Sequence, residues 1–120
     1  MLERIQGLPD KVLGFEAKGE VTGADYESVL IPAVEEVLSR QKSIRFLYHL
    51  GEEFKGFDAK AMWDDARVGL QHLTAWERVA VVSDVGWLRA AVKAFAFVMP
   101  GHVRVFSNSE LEASRKWLSE

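Results

Sequence analysis

The chain has 120 residues, 48% of them hydrophobic and 28% charged, with a net charge of −3 and no cysteine. That balance suits one domain with a packed core and excludes an extended disordered chain. It also excludes disulfides, thiol nucleophiles and thiolate metal sites, and it gives no electrostatic drive toward nucleic acid.

The opening MLERIQGLPDK has charge within its first four residues and no apolar run, so it does not read as a signal peptide. A cytoplasmic location is the expectation. Residues 1–7 and 11–20 read as two strands joined by a turn at Leu8, Pro9 and Asp10, although Gly14 interrupts the alternation of the second. TGAD, residues 22–25, reads as a variant capping box, with Thr22 capping and Asp25 reaching back. Tyr26, Leu30, Ala33, Val34, Val37 and Leu38 then recur at helical spacing. Pro32 falls inside that pattern, which predicts a kink or a short turn followed by a helix restarting at Pro32.

IRFLYHL, residues 44–50, has the composition of a buried central strand, and residues 51–56 read as a loop. Asp58 is placed to cap a helix running to about Leu73, with Met62, Ala66, Leu70 and Leu73 inward. VAVVS, residues 79–83, is the clearest buried strand. Asp84 follows at an N-cap position for a helix over 85–99, which Pro100 and Gly101 stop. HVRVFS, residues 102–107, alternates strictly. Asn108 or Ser109 caps a last helix whose thin stripe of Leu111, Ser114 and Leu118 predicts a well-solvated element. The order ββαβαβαβα implies βαβ units, a mostly parallel sheet with one antiparallel edge strand, and right-handed crossovers.

Five stretches carry a resemblance: DYESVLIPAVEE at 25–36, IRFLYHL at 44–50, AMWDDARVGL at 61–70, ERVAVVSDVGWL at 77–88 and VRVFSNSELEASRKWL at 103–118. In their order and spacing the sequence resembles the SpoIIAA-like family, a branch of the STAS domains. The resemblance covers nearly the whole chain. It implies an α/β fold with helices packed around a mixed sheet, and a non-enzymatic, binding or regulatory role. Regulatory STAS proteins carry a phosphorylatable serine at the start of the helix after the central strand. Residues 51–65, GEEFKGFDAKAMWDD, hold neither serine nor threonine, so no phosphoswitch is transferred. The branch is also similar in fold to CRAL-TRIO lipid-binding domains, which by analogy points to a hydrophobic ligand or a membrane contact.

The stretch 85–99 is greasier than a surface helix needs to be. Val85, Leu88, Val92, Phe95 and Met99 make a core stripe, widened by Trp87, Ala91, Ala94 and Val98. The far side holds Arg89, Lys93, Ala96 and Phe97, two cations with aromatics at the margins. This face is read as a contact surface for an anionic membrane, for a hydrophobic or lipid-like ligand, or for a second subunit in a homodimer; the bland reading is that neighbouring helices or Trp117 cover it. Trp63 and Trp87 both lie on helices that follow strands. If those helices part, the gap is an apolar slot of the kind that accepts an acyl chain.

The carboxyl ends of the strands supply a second candidate group, His49, Glu52, Ser83, Asp84 and Ser107. A nucleophile elbow, a P-loop and a dinucleotide-binding fingerprint are all absent. Asp64 and Asp65 are adjacent on a helix and point about 100° apart, so they form no carboxylate dyad. His49, His72 and His102 lack metal-ligand spacing. The sequence therefore predicts no cofactor, no metal and no enzyme, with an unrecognised enzyme using the strand-end residues as the remaining alternative.

Overall fold

The computed structural model describes residues 1–120. Five strands, β1 (Leu2–Arg4), β2 (Val12–Val21), β3 (Ile44–Phe57), β4 (Trp76–Ser83) and β5 (His102–Phe106), form one sheet in sequential order. β1 runs antiparallel to β2 and every other pair is parallel. Between them come α1 (Gly23–Asp25), α2 (Ile31–Arg40), α3 (Ala59–Gln71) and α4 (Gly86–Ala96), and α5 (Leu111–Ser119) ends the chain. Right-handed crossovers between sequential strands put every crossover helix on the same face. The burial pattern agrees. Ile44, Phe46, Tyr48 and Leu50 of β3 join the large core under the crossover helices, whereas Leu47 joins a smaller core under α5. Both faces of β3 are thus covered, which explains its unbroken apolar run.

The capping box at Thr22 is present: its backbone N–H donates to Asp25 Oδ2 at 2.8 Å, and its hydroxyl accepts from the Asp25 N–H at 3.2 Å. Pro32 is accommodated by a π turn over Tyr26–Leu30, in which the Ile31 N–H reaches the Tyr26 carbonyl. The helix restarts at Ile31, one residue before Pro32. Proline then sits in a first turn, where its missing donor would have had no partner.

Five expectations are corrected. Residues 51–56 are not a loop but the second half of β3, pairing with the end of β2 through Gly19↔Phe54 and Gly56↔Glu20. Register shifts beside Gly19 (φ 60) are matched by Gly56 (φ 132), backbone conformations that glycine adopts freely. The inward face of α3 is Ala61, Asp64 and Val68, while Met62 and Leu70 are exposed. The cap sets this rotation: Asp58 Oδ1 accepts both the Ala61 N–H at 2.7 Å and the Gly23 N–H at 3.1 Å, docking the first turn of α3 on α1. Asp84 does not cap α4; Val85 occupies that position, and the helix ends at Ala96. The cap of the last helical segment is Ser107, in a box with Glu110 that opens a 3₁₀ turn over Asn108–Glu110 ahead of α5.

Nor is α5 well solvated, because Ser114 and Leu118 are fully buried. Its carbonyl end is held by two strand arginines: Arg45 donates to the Leu118 carbonyl at 2.7 Å and Arg78 to that of Trp117 at 2.6 Å. Cations there satisfy orphan carbonyls and oppose the negative end of the helix dipole. The Trp117 ring is also covered by the guanidiniums of Arg78 and Arg104, 5.2 and 5.3 Å from its centroid. Leu118→Ala is expected to lower the unfolding free energy by about 3 kcal/mol in urea denaturation, because it empties the centre of the smaller core.

Candidate functional site

On the crossover side α3 and α4 do not close over the sheet. They leave a cavity of ≈ 290 Å³ lined by 19 residues, 17 of them hydrophobic. Its floor is Phe46, Tyr48 and Leu50 of β3, Val79 and Val81 of β4, and Val103 of β5. α3 contributes Met62, Asp65, Val68 and Gly69 to one wall, and α4 contributes Trp87, Leu88, Ala91, Val92 and Phe95 to the other. The helices meet where Phe95 packs on Gly69, so closely that a β-carbon at Gly69 would lie 3.1 Å from the ring. At the other end Met62 and Trp87 stand half exposed, and Trp87 packs edge-on against Phe57 with ring centroids 6.4 Å apart. The volume lies at the lower limit of small-ligand pockets, roughly 300 Å³.

Asp65 is the one charged residue in the lining. Its Oδ1 accepts the hydroxyl of Tyr26 at 2.7 Å, and the hydroxyls of Tyr26 and Tyr48 lie 2.8 Å apart. Each hydroxyl has one proton. With Asp65 ionised, Tyr26 therefore donates to Asp65 and Tyr48 donates to Tyr26. These are the only two tyrosines in the chain, and both are buried. Burial, reinforced by the Asp65 charge, raises both phenols above their ordinary value. Asp65 lines the cavity from a solvent-exposed position on α3. Protein around it desolvates the carboxylate and raises its pKa, partly offset by the Tyr26 hydrogen bond.

The residues singled out from sequence do not converge on this cavity. Trp87 lines it, as expected if the two helices parted, and is 52% exposed; Trp63 is 68% exposed and lies outside the lining. Phe97, 91% exposed, lies just past the far end of α4, ten residues or ~15 Å along the axis from Trp87. Lys93 is exposed and makes no ion pair. Arg89 is engaged within the fold, donating to the carbonyls of Ser83 at 2.7 Å and Phe106 at 3.0 Å and so tying the ends of β4 and β5 together. The strand-end residues are equally separate. His49 faces the α5 side, its Nδ1 3.7 Å from Glu16; the Ser83 hydroxyl accepts the Val85 N–H; Asp84 Oδ1 accepts the Asn108 N–H at 2.9 Å. No three His, Asp or Glu side chains are grouped to hold a metal ion.

Sequence reasoning missed Tyr26, Tyr48 and Asp65 as a group. The available signal was that a buried tyrosine hydroxyl needs a partner. The two phenols and Asp65 come from three separate elements.

A sequential, mostly parallel sheet with three crossover helices on one face and a terminal helix on the other defines the class of domain. A model of the SpoIIAA-like family matches residues 12–119, and the chain belongs to that family. It is similar to the crystal structure of an uncharacterized protein with a SpoIIAA-like fold from Shewanella loihica PV-4, at 28% identity and a TM-score of 0.78, over 98% of this chain and 92% of that one. No match was found among curated proteins. No helix is long and apolar enough to cross a membrane.

The raised carboxyl gives a pH signature. The folded state holds the Asp65 proton more tightly than the unfolded chain does. Its contribution is therefore most favourable below the unfolded pKa of about 3.9, and it is lost as pH rises through the folded value. Asp65→Asn is expected to be more stable than wild type at neutral pH, with the difference shrinking toward pH ~4 in thermal melts recorded as a pH series.

Proposed function

We propose that the chain is a binding module that takes a small hydrophobic or lipid-like ligand between α3 and α4. The supporting observation is the ≈ 290 Å³ cavity itself, walled by apolar side chains over a rigid sheet floor and open where the two helices diverge. Ligand pockets combine an apolar lining with very few polar groups that fix orientation, and here Asp65 and Tyr48 line the cavity, both hydrogen-bonded to Tyr26 behind them. No assembled nucleophile, base and oxyanion site accompanies the cavity, so binding rather than turnover is the reading.

Ala91 is exposed and also lines the cavity, so a larger side chain there fills the space without displacing buried neighbours. Titration with 1-octanol is expected to shift the amide and methyl NMR signals of Val81, Leu88 and Val92. Ala91→Phe is expected to abolish those shifts while the melting temperature stays near wild type. Unchanged spectra on addition of octanol would remove the reading.

A second reading rests on α4 and the residues just past its end, where Trp87, Phe97 and Val98 are exposed around a surface otherwise rich in alanine. Arg89 is tied to strand carbonyls, which leaves Lys93 as the cation on that face. One lysine at an anionic membrane contributes about 1 kcal/mol, too little to hold the protein there. Contact with a second copy is therefore favoured over a lipid surface. Light scattering is expected to give a dimer for wild type and a monomer for Phe97→Asp.

A further inference from the structure

We infer that the ligand of the α3–α4 cavity carries a cationic, hydrogen-bond-donating head, such as a protonated amine on an apolar body, and that Asp65 receives it. The inference rests on the cavity being a ligand site and adds the charge and hydrogen-bonding sense of the occupant. Three observations carry it. First, Asp65 is the sole charged residue of the lining; no lysine, arginine or histidine joins it. An anionic head such as a fatty-acid carboxylate would be desolvated beside a like charge with no cation to offset it.

Second, the protons of the network are already committed. The Tyr26 proton goes to Asp65 Oδ1, and that of Tyr48 to Tyr26. The indole N–H of Trp76 donates to the Gly69 carbonyl at 3.3 Å. Apart from the indole of Trp87 at the mouth, the wall side chains offer only acceptors. Third, Asp65 Oδ2 has no hydrogen-bond partner in the protein, although its sister oxygen is bound. Asp65 is solvent-exposed as a residue and lines the cavity, so a carboxylate with one oxygen anchored by Tyr26 presents the other to an ammonium donor entering there. Pairing with a cation would also offset the desolvation that raises this carboxyl.

The test uses three probes with the same apolar chain: octylammonium, 1-octanol and octanoate, titrated calorimetrically at neutral pH and low salt. Octylammonium is expected to bind most tightly and octanoate most weakly, a span of roughly tenfold or more. Asp65→Asn, which keeps an acceptor for Tyr26, is expected to bring the ammonium and carboxylate probes to within about twofold of each other. Ala91→Phe is expected to abolish binding of all three. Octanoate binding as tightly as octylammonium overturns the inference and leaves the hydrophobic-ligand reading standing. A cation preference that persists in Asp65→Asn also overturns it, because the net charge of −3 would then be its source. Failure of all three probes removes the ligand reading itself. The wild-type comparison decides between these outcomes even if the Asn variant folds poorly.

Discussion

Three crossover helices must share one face of a five-stranded sheet, and they do not fill it. That constraint follows from the handedness of the crossovers and the sequential strand order. α2 packs near β2, α4 lies over β4 and β5, and α3 is drawn toward α1 and the π turn by the shared Asp58 cap. The floor between α3 and α4 is therefore open. The same topology leaves the opposite face to α5 and to Ile5 and Leu8 of the β1–β2 connection; the apolar stripe of α5 is short, so Arg45, Arg78 and Trp117 complete its docking.

Much of this was legible along the chain. The alternation of apolar strands with helical stripes gave every element in its order, and TGAD gave its capping box, because these signals are local. Other features depended on partners distant in sequence. GEEFKG has the composition of a turn, and only the ten-residue β2 beside it makes it a strand. The stripe Met62, Ala66, Leu70 is a sound helical period, yet α3 turns another face inward because its cap is shared with α1. Ser107 and Glu110 form a standard box one residue ahead of Asn108, which reads equally well as a cap. The polar heart of the candidate site was the least legible part. Tyr26 and Tyr48 each fit an apolar period, and Asp65 reads only as one of two adjacent aspartates that form no dyad.

Those two adjacent aspartates have different fates. Asp64 is 1% exposed, with Arg67 at 3.3 Å and Lys60 at 3.6 Å from its Oδ1. It faces the junction of α3 with α1, where Lys60 also reaches Glu27 at 2.7 Å. Its Oδ1 is compensated by neighbours on its own helix, while its buried Oδ2 has no hydrogen-bond partner. Asp65, one step around, faces the cavity and has no cation, only two phenols in series. The 100° turn between consecutive helical residues thus separates a compensated carboxylate from an uncompensated one.

The uncompensated one is the more informative. An open apolar cavity of ≈ 290 Å³ leaves its wall short of the packing contacts that a filled core would make, and water at the mouth restores few of them. A carboxyl raised by desolvation adds a further penalty at neutral pH. Replacing Ala91 with a larger residue and Asp65 with leucine is the simple remedy for a chain whose only task is to fold. The chain carries none of these, and sites where local rules are broken without a structural return are where function concentrates. A ligand with an apolar body and a donating cation would return both losses at once, the contacts to the wall and the counter-charge to Asp65.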